Sequence, residues 1–213
     1  MKYQSHINEL LEHQAIHLKG VVPADVCQTA ISKCSKMLPP GASELATKII
    51  SELEVFVFNR DIRDFFSAFY QEDFLVKWPL LDVVSDNALE TYLSTTWHCD
   101  GPMKGLLKCF LYLNPVSEHG CNTLIIDEVR TRKLQSVNAL PLELERRHTD
   151  ISAFLQTLGL PETPIEFDLC AGDLLIFAPH KLAHRCLPPR AGKMRYTVCF
   201  SVFPESAFKC QIS

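Results

Sequence analysis

Two stretches decide how this chain folds: Trp97-His98-Cys99-Asp100, and Gly172-Asp173-Leu174-Leu175-Ile176-Phe177 with His184 and Arg195 downstream of it. The first offers an imidazole and a carboxylate two positions apart. In a strand, residues i and i+2 point the same way, so His98 and Asp100 at a strand end can reach one metal ion while Cys99 points away. His184 has to arrive from a distant strand, because a third ligand on the same short segment would strain the geometry. Arg195 lies eleven residues past His184, within the apolar run Met194-Arg195-Tyr196-Thr197-Val198-Cys199-Phe200. If that run pairs antiparallel with the segment holding His184, its guanidinium returns to the same pocket. There its planar fork can clamp a carboxylate through two parallel hydrogen bonds. Two imidazoles and one carboxylate on one face of an octahedron leave three positions open.

Working outward, residues 5–13 read as a short helix, and Ala15 to Val22 as a strand ended by Pro23. Pro23 suits the first turn of a helix over 24–37, where its missing N–H would be orphaned in any case. Pro39-Pro40-Gly41 stops that helix, and a second runs from Ser43 to Phe56 with apolar residues at helical spacing. Asp61 is placed as the N-cap of a third helix, with Phe65, Phe66 and Phe69 inward. After Gln71 the pattern changes to strands over 74–84, 91–98, 106–114 and 122–127. A polar, basic excursion over 128–148 and a helix over 149–158 follow, then strands at 165–169, 173–178, 182–187 and 194–203. Helices followed by about eight strands with one internal helix predict a mainly β fold with flanking helices. The expected architecture is a double-stranded β-helix (jelly roll, cupin-like) with the N-terminal helices packed on one sheet. The expectation is one domain over 1–213: a helical part to 72 and a β core over 73–204, with an excursion at about 115–160.

Composition narrows the classes. At 213 residues and 24.1 kDa the chain can bury a substantial single core. A net charge of −4 and a pI near 6.1 argue against nucleic acid as a partner, since such binding rests on clustered Lys and Arg. The nine cysteines form no Cys-x-x-Cys pair and several sit in apolar runs. With no leader read at the N-terminus, they are expected to be reduced thiols of a cytoplasmic protein. No apolar run reaches the length that spans a bilayer, so no membrane is expected as a partner. The oligomeric state is not readable.

The ordered set resembles the phytanoyl-CoA dioxygenase-like branch of the Fe(II)/2-oxoglutarate-dependent oxygenases. That branch shows His-x-Asp, a long insert, a Gly-Asp-apolar strand, a second His and an Arg eleven residues on. Here these are His98-Cys99-Asp100, Gly172-Asp173-Leu174-Leu175, His184 and Arg195. The opening, Leu10 to Val22 followed by Pro23-Ala24-Asp25-Val26, is similar too. The resemblance implies that His98, Asp100 and His184 hold Fe(II) and carry catalysis, and that Arg195 binds the distal carboxylate of 2-oxoglutarate. It implies O2 as oxidant, succinate and CO2 as products, and a small-molecule substrate hydroxylated at an unactivated C–H. Asp100 favours hydroxylation over halogenation, because related halogenases lack this carboxylate and bind chloride in its place; desaturation and ring formation stand as alternatives to hydroxylation.

Competing readings sit beside this one. His180 and His184 form a His-x-x-x-His pair, but Pro179 and Pro188-Pro189 oppose the helix a zinc site would need. His180 is therefore read as a loop residue near the pocket mouth, and Arg190 as a solvated turn residue. Cys186 stands where many relatives place a co-substrate-binding hydroxyl, and a thiol is a weak donor. Thr197 and Lys108 are candidates to assist, Lys108 being equally able to snorkel to solvent. Arg130, Arg132, Lys133, Arg146 and Arg147 read as a solvated face, or alternatively as a lid for an acidic substrate. Two further alternatives are a protein side-chain hydroxylase of the same chemistry and a jelly-roll metal protein without 2-oxoglutarate turnover.

Overall fold

The computed structural model describes residues 3–34, 42–86 and 93–209. Four helices come first: α1 (Gln4–His13), α2 (Ala24–Cys34), α3 (Ala42–Val57) and α4 (Arg60–Tyr70). A short strand, β1 (Ala15–Leu18), lies between the first two. The expected end of α2 and the Pro39-Pro40-Gly41 stop fall outside the described residues. The N-cap of α4 is Asn59, not Asp61: its side-chain oxygen accepts from the Ile62 N–H at 3.1 Å. Asp61 sits in the first turn, where a carboxylate complements the helix dipole.

The remaining strands are β2 (Phe74–Ser85), β3 (Leu107–Tyr112), β4 (Thr123–Ile126), β5 (Leu174–Phe177), β6 (Ala183–Cys186) and β7 (Met194–Pro204). Five pair antiparallel in the order β1-β5-β3-β7-β2, and β4 pairs with β6 in a second sheet. Single bridges extend that small sheet on both sides, His98 to His184 and Ile125 to Ile165. The stretches expected as strands at 91–98 and 165–169 thus contribute one bridge each, and residues 93–95 form a 3-10 turn. Between β3 and β5 lie α5 (Val116–His119), α6 (Glu128–Ser136) and α7 (Ser152–Thr157), three helices where one was expected.

The two faces of the large sheet separate by chemistry, as strand periodicity demands. Leu107, Cys109, Leu111, Leu174, Ile176, Val198, Phe200 and Val202 form one apolar cluster with residues of α1 to α4. The opposite face carries Lys108, Phe110, Tyr112, Leu175, Phe177, Arg195, Thr197 and Ser201, aligned across strands by the register. This face looks toward the small sheet. Its deeper half is apolar, with Tyr112, Leu175 and Phe177 packed on Ile125 and Leu182.

Gly172 and Asp173 have structural jobs. Gly172 has φ +87°, and a Cβ there would meet the Val22 carbonyl oxygen at 1.8 Å, so only glycine fits. The buried Asp173 carboxylate accepts from the N–H groups of Gly20 and Cys170 and from His17 Nε2 at 2.8–2.9 Å. Together they lash the loop after β1 to the start of β5. Among the described residues no helix is long and apolar enough to cross a membrane.

Candidate metal centre

His98 and His184 face each other across the edge of the small sheet. Their backbones exchange two hydrogen bonds, His98 N–H to His184 O at 3.1 Å and the reverse at 2.9 Å. Direct opposition puts the side chains on one face, with ring centroids 4.3 Å apart. Asp100 is held by its own N–H, which donates to the Pro179 carbonyl at 2.9 Å, just before β6. The segment bearing Asp100 is therefore stapled to the turn between β5 and β6, which leads into the strand that carries His184.

Each imidazole is oriented by a backbone carbonyl. His98 Nδ1 lies 2.8 Å from Thr96 O, and His184 Nδ1 lies 2.9 Å from Leu182 O. A proton on each Nδ1 leaves Nε2 with a free lone pair, the state a metal ligand needs. Both Nε2 atoms converge on Asp100 Oδ1, at 3.8 and 3.9 Å. This is a little wider than the roughly 3 Å between neighbouring donors on an octahedral ion with ~2.1 Å bonds. His98, Asp100 and His184 form a potential metal-ligand group, with all donor atoms within 4.8 Å of one another. Burial lowers the pKa of both imidazoles, that of His184 to about 3, with His98 and Lys108 adding to the effect. Both rings are thus neutral and available at ordinary pH. Phe177 packs edge-on against His184 at 5.0 Å and walls the inner side.

Lys108 turns inward instead of snorkelling. Its ammonium lies 2.6 Å from Asp100 Oδ2. Burial is the largest influence and pushes the Asp100 carboxyl up, but Lys108 and the two imidazoles together outweigh it and the net shift is downward. Arg195 is buried, and its Nη2 donates to Asp82 Oδ2 at 2.8 Å. The carboxylate partner expected from a co-substrate is thus already supplied by the protein. Asp82 was missed as a site residue. The signal was present, since it is the one charged residue in Leu80-Leu81-Asp82-Val83-Val84.

Arg195 does not reach this region by pairing with the His184 strand. β7 pairs with β2 and β3 in the large sheet, whereas β6 belongs to the small one. The Pro188-Pro189 turn carries the chain from one layer to the other, so Arg195 faces His184 across the gap. A small cavity, about 30 Å³, lies between them and is lined by Ser94, Lys108, Thr123, Arg185, Cys186 and Arg195 among others. That is about one water's share of liquid volume. Cys186 lines it with its pKa lowered, chiefly by a hydrogen bond from the Cys121 thiol. Thr197 is buried farther along β7, opposite Tyr112 on one side and Asp82 on the other.

The other flagged residues separate. His180 is half-buried in the turn before β6, and Arg190 is exposed, donating to Ser117 O at 2.9 Å. The basic excursion is not a uniform solvated face. Arg130 is buried, bonded to Asp127 Oδ2 at 2.6 Å and to the carbonyls of Pro161 and Thr163 at 2.8 Å each. Arg132 pairs with Glu128, and Arg146 lies 3.8 Å from Glu143. Lys133 is exposed. Arg147 stands near enough to the centre to bias His98 toward its neutral form.

No protein-family model matches the chain, and no curated protein matches it in sequence. Solved structures do match. The non-heme alpha-ketoglutarate-dependent epimerase SnoN from nogalamycin biosynthesis superposes with a TM-score of 0.66 at 12% identity, covering 95% of this chain and 83% of SnoN. The non-heme monooxygenase ThoJ gives 0.61 at 13% identity, over 93% and 76% of the two chains. HygX from Streptomyces hygroscopicus, solved with iron bound, gives 0.54 at 12% identity, over 95% and 87%. At these identities what is shared is the fold.

Proposed function

We propose that this chain is an Fe(II)- and 2-oxoglutarate-dependent oxygenase of the jelly-roll type, acting on an unactivated C–H of a small molecule. The observation that carries the reading is the convergence of two pre-oriented Nε2 atoms and one carboxylate oxygen. Two nitrogens and an oxygen with the remaining positions open suit non-haem Fe(II) better than a closed four-ligand zinc site. Three proteins of this fold carry iron, monooxygenase or keto-acid chemistry in their names, and the His98-x-Asp100, His184, Arg195 order suits the phytanoyl-CoA dioxygenase-like branch.

With iron, 2-oxoglutarate and O2 bound, the centre supplies oxidative decarboxylation coupled to C–H hydroxylation, releasing succinate and CO2. The chain's own residues do the rest. His98, Asp100 and His184 hold the ion, and Phe177 keeps water from its inner side. Lys108, Arg185 and Arg195 make the neighbouring cavity cationic, which fits a dicarboxylate in charge. Arg195 Nη2 is already held by Asp82, so a dicarboxylate docking there would share the guanidinium with Asp82.

The Asp82–Arg195 pair favours one second reading, a metal protein of the same fold that uses no keto acid. Anaerobic titration separates the two. Metal-free protein given Fe(II) and then 2-oxoglutarate should develop the weak visible absorption of a chelated keto acid. His98→Ala should abolish it, and Arg195→Ala should demand far more 2-oxoglutarate. Tight metal binding with no absorption would replace the oxygenase reading with the second one.

A further inference from the structure

We infer that Lys108 is a positioning residue that splits the work of the Asp100 carboxylate, reserving Oδ2 for its ammonium and leaving only Oδ1 for a metal. The inference rests on the metal-site reading above. Oδ1 is the oxygen that both Nε2 atoms approach, at 3.8 and 3.9 Å. Oδ2 is engaged by Lys108 Nζ at 2.6 Å. Charge-assisted hydrogen bonds of this length are among the stronger polar contacts a protein makes. Both side chains are largely withdrawn from water, those of Lys108 and Asp100 being 23% and 22% exposed. The Lys108 backbone is clamped between Phe177 on β5 and Ser201 on β7, in the middle of the large sheet.

The consequence concerns coordination number. A carboxylate free to turn can offer both oxygens to one ion and consume two positions. With Oδ2 committed to Lys108, the three side chains take three positions of an octahedron, and three stay open. A keto acid that chelates through two atoms, together with O2, needs all three. On this view the lysine belongs to the metal centre through Asp100, not to the distal carboxylate of a co-substrate.

The test uses Co(II) as the probe, with equilibrium dialysis for affinity and visible absorption for coordination, on the full chain and four variants. Lys108→Met should bind Co(II) about 10- to 100-fold more weakly, the range typical for loss of an outer-shell partner. Its spectrum should also change, as Oδ2 becomes available to the ion. Lys108→Arg, which can still donate to Oδ2, should restore affinity and spectrum to near those of the natural protein. Lys108→Gln, able to donate but uncharged, should fall between. Circular dichroism and thermal unfolding of the metal-free variants establish that each is folded. Wild-type affinity and an unchanged spectrum in folded Lys108→Met would overturn the inference. No Co(II) binding by the unaltered protein, matched by His98→Ala, would instead overturn the metal-site reading and this inference with it.

Discussion

The two faces of the large sheet are built from the same strands, yet one is apolar and the other carries buried and half-buried ion pairs. On the helix side, Cys109, Leu111, Ile176 and Phe200 are entirely buried and meet only apolar neighbours from α1 to α4 and the adjoining strands. On the inner side, one residue along each strand, Lys108 and Arg195 are also withdrawn from water, but each meets a carboxylate. A period of two lets one strand do both. Apolar contact tolerates any partner of the right volume, whereas a buried cation tolerates only a counter-charge. Helix-side substitutions should therefore lower stability without touching the centre, whereas inner-side substitutions should alter the centre and cost stability only where they leave a buried charge without its counter-charge.

The largest expected effect tests the cohesive side. Phe200→Ala removes a ring packed edge-on to Phe58 at 5.2 Å, and should cost about 4 kcal/mol in chemical denaturation. Metal affinity of the folded fraction should stay unchanged; a large loss would mean the two faces are mechanically coupled. On the other side, His184→Ala should weaken Co(II) binding on the order of several hundredfold, more than loss of an outer-shell partner. It should leave the metal-free unfolding midpoint close to that of the natural protein.

A mixed outcome is expected for the ion pair beside the cavity. Asp82→Asn leaves the Arg195 guanidinium buried without its charge partner, and should destabilise the metal-free protein by about 2 kcal/mol. Added 2-oxoglutarate with metal should then raise the unfolding temperature more than it does for the natural protein, because the diacid supplies the missing carboxylate. An equal or smaller rise would show that the diacid does not dock on Arg195.

The remaining effect appears only on acidification. His119 is fully buried, its Nδ1 accepting from the Cys121 N–H at 3.0 Å, and its pKa falls from 6.5 to about 4. Burial is the main cause, with Arg195 and Arg190 contributing. A proton binds the unfolded chain more readily, so this contribution is complete above pH 6.5, shrinks as pH falls from there, and is gone below about 4. Replacing His119 with Gln should flatten the stability profile in that window.

Much of this was legible beforehand. Asn59-x-x-Ile62 and the Phe65, Phe66 pair make α4 readable, although the cap was placed two residues late, on the neighbouring Asp61. The stretch at 91–98 misleads because its apolar and β-branched residues satisfy a strand pattern. The part of it described here, from residue 93, instead bends through a 3-10 turn before touching β6 at a single bridge. The candidate grouping of His98, Asp100 and His184 was readable because donor chemistry and spacing are written in the sequence. Asp82 carried a local signal as a lone charge in an apolar run, but its partner was not readable, because nothing near it in the chain reveals that β2 pairs with β7.

By itself, the sequence determined which residues carry donor atoms, the alternation that sends Lys108 and Arg195 to one face, and the glycine that only Gly172 can provide. Tertiary structure alone decided the pairings: Lys108 with Asp100, Asp82 with Arg195, and His98 opposite His184. The physical reason is that charge partners are chosen by distance in space. That distance follows from the strand order β1-β5-β3-β7-β2 and from the passage at Pro188-Pro189 between layers, both set by burial of the whole chain at once.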